Sequence, residues 1–568
     1  MDFKLMVAQA IAKASEIDIE TVESALTTPP NADMGDFAFP CFVLAKQLKK
    51  SPIVIAKELA EKMQGVNSYI DSVNPEGGYL NVFINKAEYA NSVLKEVLSA
   101  GNDYGKSGEG NGKNICLDYS SINIAKPSHI GHLSTTVIGN ALSRIYTHLG
   151  YKTISINHLG DWGTQFGKLI VAYKLWGVRE EVEKGSVLAL MDLYVRFHEE
   201  AEKNPKLDDE ARAWFRRIED GNDEAVALFD WFKKLTLESV QKIYDLLGVE
   251  FDSYAGESFY TPYMPAVIKE MQDKGVLKVD DGATIVDLSE YNMPPCLILK
   301  SDGATLYATR DITTAIYRKN TYDFHKLLYV VAYQQSLHFK QFFKVLELMG
   351  YDWVKDCEHV SYGMVSLEDG AMSTRKGKVV LLDDVLTAAI EKSRVIIEEK
   401  NPDLEDKDEI AKQVGVGAVV WLPLYNNRIK DIVFSYDKAL NFDGETAPYA
   451  QYTHARCCSV LKKAEVFEKM SELDFNGKLL NDLESIELVK SIDALKDSIR
   501  SAAEKNEPYI IARRVIDICG KFNRFYYERR IMGEETSIQN SRLALCAATK
   551  TAIKIGLYLL GVNAPERM

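Results

Sequence analysis

At 568 residues the chain is too long for one hydrophobic core, and at roughly 150 residues per domain it points to about three or four domains. Apolar residues make up 46% and charged residues 26%, which excludes a disordered or fibrous chain. The balance of 68 Lys+Arg against 82 Asp+Glu leaves a net charge of −14, which read globally argues against a partner held by phosphate neutralisation.

The opening MDFKLMVAQAIAKASEID sets Leu5, Ala8, Ile11 and Ala12 at helical spacing, and its charges at positions 2, 4 and 13 break up any signal-peptide core. A turn-rich stretch, TTPPNADMGDFAFP, leads to an amphipathic segment ending near Met63. After NPEGG, Tyr79, Asn81, Phe83 and Asn85 alternate with Leu80, Val82 and Ile84 as in a strand. The string GNDYGKSGEGNGKN lacks the G-K-[ST] ending of a phosphate loop and reads as a mobile surface loop at a domain boundary near residue 110.

Residues 113–158 give a β-α-β pattern: Ile115, Cys116 and Leu117, then a helix carrying Leu133, Val137, Leu142, Ile145 and Leu149, then the strand TISIN. Such units imply a parallel sheet whose ligands bind beyond the carboxyl ends of the strands. A charged, Trp-containing helical stretch at about 178–290 reads as an insertion, because strand-helix-strand patterning resumes in CLILKSDGATLYATRDITTAIYR and KLLYVVAY. From about 378 the spacing is helical to the end, as in Val489, Ile492, Leu495, Ile499 and again Ile511, Val515, Ile518, Phe522, Phe525. The fold class expected is α/β: a Rossmann-type parallel-sheet domain (111–377) with an insertion, preceded by an α+β domain (1–110) and followed by a helical stem (378–451) and an all-α domain (452–568).

Eight scattered cysteines with no C-x-x-C fit reduced thiols in a cytoplasmic protein without zinc. The most apolar uncharged run, Val414–Tyr425, contains Pro423 and is well short of the ~20 residues that span a bilayer, so no membrane anchor is expected.

The loop from Asp118 to His132 opens directly into the first helix of the β-α-β unit. Unpaired backbone N–H groups, His129, His132 and Lys126 together make an anion site there, and Gly131 lets a flat base approach the backbone. On chemistry alone a helix-cap pair, or half of a metal site, stays open for the two histidines. The segment from Tyr452 to Met568 holds 19 Lys+Arg and 16 Asp+Glu, a net of +3, so the rest carries −17. Within it Arg513, Arg514, Lys521, Arg524, Arg529 and Arg530 are interleaved with aromatic residues, as single-stranded RNA recognition requires. Phe522 and Phe525 continue the apolar face and read as core, which leaves Tyr526, Tyr527 and the arginines as surface candidates.

H-I-G-H resembles the first signature of class I aminoacyl-tRNA synthetases. SSINIAKPSHIGHL followed by INHLGDWGTQFGKL is similar to the arginyl-tRNA synthetase family. YATRDITTA, VVAYQQSLHFKQFF, AMSTRKGKVVLLDDVL, NFDGETAPYAQYTHARCCSVL, FNRFYYERRIMG and LLGVNAPERM resemble it in the same order, over nearly the whole chain. The resemblance implies a tRNA-contacting N-terminal domain, a catalytic domain and an anticodon-binding C-terminal domain in a protein that is usually monomeric. It implies that arginine is activated by ATP, with Mg²⁺ arriving in the ATP complex, and that this requires bound tRNA-Arg. Lys126, His129 and His132 would be catalytic. His129, Gly131, His132, Met372, Ser373, Arg375 and Lys376 would hold ATP; both lysines of the usual K-M-S-K-S signature are lost, and Lys126 would compensate. Asp118, Ser121, Asn123, His132, Tyr307, Asp311 and Gln335 would contact arginine, with Asp118 shorter than the Glu common in the family, and with Asp161 and Gln165 shaping the pocket floor. Asn74, Tyr79, Asn81, Arg524, Tyr526, Arg529 and Met568 would contact tRNA. Two other readings stay beside this one: a nucleotidylyltransferase using the same H-x-G-H chemistry, and a non-enzymatic RNA-binding relative. For Asp311 the bland alternative is an ion pair with Arg310 or Arg318, and Trp162 suits core as well as ligand.

Overall fold

The computed structural model describes residues 3–367 and 380–568, so the expected ATP contacts Met372, Ser373, Arg375 and Lys376 lie outside the described residues. The N-terminal part contains α1 (Phe3–Ser15), β1 (Phe37–Pro40), α2 (Pro52–Met63), β2 (Ile70–Glu76), β3 (Tyr79–Ile84) and α3 (Lys86–Ala100). Its three strands form an antiparallel sheet in the order β1-β3-β2. Asn85 ends β3 and starts α3 by accepting from the N–H groups of Ala87 and Glu88, an N-cap of the usual kind. The glycine-rich string that follows is not the mobile loop its composition suggests. Gly110 and Gly112 donate backbone hydrogen bonds to Leu149 (2.8 Å) and Gly150 (2.9 Å), and a Cβ on Gly110 would stand 2.3 Å from the Tyr151 nitrogen. The glycines serve close backbone approach.

The middle of the chain begins with β4 (Asn114–Asp118), α4 (Leu133–His148) and β5 (Lys152–Ile156), then the helices α5 (Gln165–Trp176), α6 (Arg179–Lys203), α7 (Lys206–Glu219), α8 (Asp223–Leu247) and α9 (Met264–Asp273). Next come β6 (Lys278–Asp280), β7 (Ala283–Val286), β8 (Cys296–Leu299), α10 (Tyr307–Tyr322), β9 (Lys326–Tyr329), α11 (Ser336–Leu348), β10 (Cys357–His359) and β11 (Val365–Leu367). A four-stranded parallel sheet runs in the order β10-β9-β4-β5. β4 is central, and Ile115, Cys116 and Leu117 are buried on both faces, the continuous apolar run expected of such a strand. The strand CLILK does not join this sheet as its pattern suggested. β8 pairs antiparallel with β7 in a separate sheet, β6-β7-β8, in which a tight turn at Asp281 and Gly282 joins β6 to β7 and the longer connection 287–295 brings β8 back along the other edge of β7.

The remainder contains α12 (Leu382–Lys400), α13 (Lys407–Tyr425), β12 (Ile432–Phe434), α14 (Ala447–Lys463), α15 (Leu483–Asp493), α16 (Leu495–Lys505), α17 (Tyr509–Glu528) and α18 (Thr536–Leu559). One short strand interrupts the expected helical run: β12 pairs in parallel with β11 and ties the stem to the sheet domain. The run Val414–Tyr425 lies within α13 and is largely buried among other helices. No helix among the described residues is long and apolar enough to cross a membrane. Phe522 and Phe525 are fully buried, as core residues, while Tyr526 and Tyr527 are exposed.

Candidate active site

The chain runs from β4 outward to β5, then returns to lay β9 on the other side of β4. Asp118 and Tyr329 therefore end neighbouring strands where the winding direction reverses, which is where open parallel sheets bind their ligands. The loop that climbs from Asp118 bends through three non-glycine residues of positive φ, Ser120 (68°), Ser121 (46°) and Ala125 (63°). Each is held by a specific contact. Ser120 N–H donates to Thr135 Oγ1 (3.0 Å), Ser121 Oγ to Asp118 Oδ1 (2.8 Å) and Ala125 N–H to Thr236 Oγ1 (3.0 Å). Backbone strain fixed in this way is characteristic of functional loops. Asn123 lies against Gly160, where a Cβ would come within 2.4 Å of Asn123 Oδ1, so the first glycine of GDWG makes room for that amide.

The loop ends in a reciprocal cap. His129 Nδ1 accepts from the Gly131 N–H (3.1 Å), and His132 Nδ1 accepts from the His129 N–H (3.2 Å); the two rings lie 3.9 Å apart. The helix-cap reading of H-x-x-H is thus correct, and it does not compete with a catalytic one. Because each Nδ1 is an acceptor, each ring carries its proton on Nε2, which remains free to donate to a ligand. Burial, reinforced by the His129 ring, holds His132 down to about 3; burial and then Lys126 lower His129. The pair therefore supplies two neutral donors to the anion site, and its positive charge comes from Lys126, which is exposed. Among the described residues no group of three His, Cys, Asp or Glu side chains is placed to hold a metal ion. On the far side of the loop, Ile130 N–H donates to Val380 O (3.1 Å) and Leu382 N–H to Ser128 O (3.0 Å), so the described chain resumes against the capped histidines.

The acids are already partnered in part. Asp118 is buried and pairs with Arg318, whose Nη1 lies 2.7 Å from Asp118 Oδ2; neither expected partner of Asp311 is free for it. Burial opposes the charge of Arg318, but Asp118 beside it keeps the guanidinium firmly protonated. Arg310 pairs with Glu257 at 2.9 Å. Burial, with Asp311 and Asp161 adding to it and Arg310 opposing, raises Glu257 to about 7. Asp311 instead meets His338, Oδ2 to Nε2, at 2.5 Å, with both side chains about a quarter exposed. Tyr307 is 67% exposed at the start of α10, which removes the simple-packing alternative for it, and Gln335 is exposed in the turn before α11. Asp118 is thus a buried anion that pairs with Arg318 and accepts from Ser121, whereas Asp311 is partly exposed and meets an imidazole.

Asp161 does not line the open pocket. It is fully buried and accepts from Lys233 Nζ (2.7 Å), Ser258 N–H (2.9 Å) and Ser258 Oγ (2.7 Å), fastening the insertion to the end of β5. Trp162 is half-buried and packs edge-on against Phe215 of α7, ring centroids 5.2 Å apart.

Two surfaces carry the residues expected to contact tRNA. On the N-terminal sheet, Asn74 is exposed, and Tyr79 stands edge-on to exposed Phe42 at 5.5 Å. Asn81, expected at this surface, is instead buried, with its amide donating to Glu76 Oε2 (3.4 Å). Its strand is the central one of three, where alternation of polar residues did not mean exposure. In the C-terminal part, a groove of about 470 Å³ is lined by Phe442, Tyr449, Tyr452, Arg456, Asn523 and Met568. Arg456 sits over the rings of Tyr452 (4.9 Å) and Tyr526 (5.4 Å). Arg524 and Arg529 point elsewhere: Arg529 Nη2 lies 2.7 Å from Glu484 Oε2 and Arg524 Nη2 3.4 Å from Oε1 of the same acid. Tyr452, Arg456 and Asn523 come from two helices, α14 and α17, and are brought together by packing, so no stretch of sequence groups them.

The terminal NAPERM is fastened beside this groove by Gln451 Nε2 donating to Asn563 O (2.8 Å), His454 Nδ1 to Pro565 O (2.9 Å) and a Lys462–Glu566 pair (2.8 Å). Burial, with Lys550 and Lys554 adding, lowers His454 to about 4. An unfolded chain takes up this proton below about pH 6.5, where the native imidazole does not, so native stability falls as pH drops from about 6.5 towards 4, by up to about 1.4 kcal/mol per pH unit. His454→Gln, which keeps a donor for Pro565, is expected to flatten the fall in melting temperature between pH 6.5 and 5. A calorimetric pH series on both proteins checks this, and parallel curves would refute it.

Three family models cover the chain: "Arginyl tRNA synthetase N terminal domain" at residues 1–84, "tRNA synthetases class I (R), catalytic domain" at 93–436, and "DALR anticodon binding domain" at 450–568. The chain is 54% identical over 568 residues to the arginine–tRNA ligase of Clostridioides difficile and 53% identical over 568 residues to that of Alkaliphilus metalliredigens, each time over the full length of both proteins. The arginyl-tRNA synthetases of Thermus thermophilus (TM-score 0.81, 24% identity, all of both chains) and Plasmodium falciparum (TM-score 0.79, 22% identity, 99% of this chain and 98% of that one) share its fold. A backbone-capped H-I-G-H at the switch point of a parallel sheet, with these matches along its whole length, places the chain in the arginyl-tRNA synthetase family of class I aminoacyl-tRNA synthetases.

Proposed function

We propose that this chain joins L-arginine to tRNA-Arg in two steps. An oxygen of the arginine carboxylate bonds to the α-phosphorus of ATP as the bond to pyrophosphate breaks. A ribose hydroxyl of the 3′-terminal adenosine of tRNA then attacks the arginyl carbonyl, and AMP leaves. The observation that carries the reading is the charge inventory of the site. Asp118 pairs with Arg318, Glu257 with Arg310 and Asp161 with Lys233, whereas Asp311 meets an imidazole, so among the described residues Asp311 is the acid of this set without a Lys or Arg partner, beside two neutral Nε2–H donors for phosphate oxygens.

His129 and His132 donate to phosphate oxygens as charge develops on them, and Lys126 supplies the positive charge. Gly131 adjoins the base, and Mg²⁺ comes with ATP as part of the substrate. Asn123, Tyr307 and Gln335 orient the amino acid without adding charge; Ser121 acts through Asp118. We place tRNA against Asn74 and Tyr79 at one end and against Tyr526, Arg456 and Met568 at the other, a single chain supplying every contact. The eight free thiols are in keeping with a reducing, cytoplasmic setting. The intact histidine and acid sets favour an active enzyme over a non-catalytic RNA-binding relative, and the tRNA-binding domains favour it over a nucleotidylyltransferase.

Arginine-dependent exchange of pyrophosphate into ATP, with and without tRNA-Arg, tests the reading. Exchange is expected with tRNA-Arg and not without it; none in either condition refutes the synthetase assignment, and equal exchange in both refutes the tRNA requirement. Asp311→Asn is expected to raise the arginine KM by about a hundredfold, as the loss of a charged bidentate acceptor predicts, with the ATP KM within about twofold. Equal rises in both would move the acid away from arginine.

A further inference from the structure

The Asp311–His338 contact is a pairing to which no role has been given. His338 lies in the first turn of α11, three residues after Gln335, the N-cap of that helix. Its ring is set from behind by Phe339 and Phe342, with centroids 5.8 and 5.4 Å away, both of them buried. Its Nε2 meets Asp311 Oδ2 at 2.5 Å. A carboxylate can only accept, so the imidazole donates there and one oxygen of Asp311 is held. The neighbouring guanidinium, Arg310, is held by Glu257 at 2.9 Å.

We propose that His338 is a positioning residue for arginine recognition: by donating to Oδ2 it fixes the plane of the Asp311 carboxylate so that the substrate's forked guanidinium meets it in register. This rests on the reading that Asp311 receives the guanidinium. A carboxylate with no such donor rotates freely about its Cβ–Cγ bond and can swing towards Arg310 on the preceding residue, in competition with substrate. Holding the acceptor in its bound orientation before arginine arrives reduces the ordering cost of binding, so the effect falls on arginine and spares ATP.

The test is steady-state exchange and aminoacylation by the full chain, with tRNA-Arg present, for His338→Leu, His338→Gln, Asp311→Asn and the double variant His338→Leu/Asp311→Asn. His338→Leu is expected to raise the arginine KM about tenfold, with kcat and the ATP KM within about twofold. His338→Gln, whose amide can donate to Asp311, is expected to return the arginine KM to within about threefold of the native value. In the double variant the loss should not exceed that of Asp311→Asn alone, because a positioning residue has nothing left to position. Should His338→Leu fail to fold, His338→Asn, whose amide is too short to reach, takes its place against His338→Gln. An unchanged arginine KM in the donor-less variant, no rescue by Gln, or full additivity in the double variant overturns the proposal. An unchanged arginine KM in Asp311→Asn overturns the parent reading instead.

Discussion

His132→Ala should lower kcat for arginine-dependent exchange by about 10² to 10³, the loss typical of removing one preorganised donor from a site of developing charge. The arginine and ATP KM values should change by less than about threefold, because the donor acts most strongly when negative charge builds on phosphate. The reciprocal cap adds a second expectation. Removing the His132 ring frees the His129 N–H that it accepted, and removing the His129 ring frees the Gly131 N–H, so either loss loosens the same turn. His129→Ala/His132→Ala should therefore cost little more than the worse single variant, whereas independent donors would multiply. The pH dependence has a definite sign. With His132 held at about 3, its ring gains no proton as pH falls from 7.5 to 6, so this residue contributes no acid limb to kcat in that range, while burial and Lys126 lower His129 as well. A second proton would have to go on Nδ1, against a backbone N–H already pointing at it. A His132→Ala variant with kcat within threefold of native, measured over that range, would remove the residue from the chemistry.

The sheet domain was legible where period and chemistry coincide. Residues 113–158 show an apolar strand, a one-sided helix and a second strand, and the folded chain pairs β4 with β5 in parallel around α4. The strand CLILK was misplaced because a short apolar run looks the same in a parallel sheet and in a hairpin; only the partner strand, β7, distinguishes them. The acids were hardest to read. Asp118 and Asp311 have the same charge in sequence, but folding sets one against a buried Arg318 and the other against a partly exposed His338. A signal existed for both partners: Arg318 lies seven residues after Asp311 and so on the same face of one helix, and His338 is three after Gln335. What sequence does not contain is which acid each cation reaches. The same holds for Arg524 and Arg529, whose pattern suggested RNA but whose guanidiniums close on Glu484 from a separate helix, and for Asn81, polar in an alternating strand yet buried.

Arg318→Met should destabilise the sheet domain by about 3–5 kcal/mol, since it leaves the Asp118 carboxylate buried without its counter-charge. For a domain of this size that corresponds to a fall of about 10 °C in its melting temperature. Arg318 is completely buried and Asp118 nearly so, and water can rescue neither. Asp118→Asn alone should cost a similar amount, because it leaves an unpaired guanidinium that cannot discharge. The double variant Asp118→Asn/Arg318→Met should recover most of the loss: no charge stays buried, and the Asn amide can still accept from Ser121. Melting of all three variants by differential scanning calorimetry measures that coupling directly, and additive losses would show the pair to be two independent packing residues. Function separates from stability in the same series. If Asp118 acts by holding Ser121 and the strained loop, the stable double variant keeps an arginine KM close to native. If Asp118 instead reads the guanidinium itself, the double variant is stable but loses arginine affinity by as much as Asp311→Asn does, and the single-acid inventory of the site is wrong.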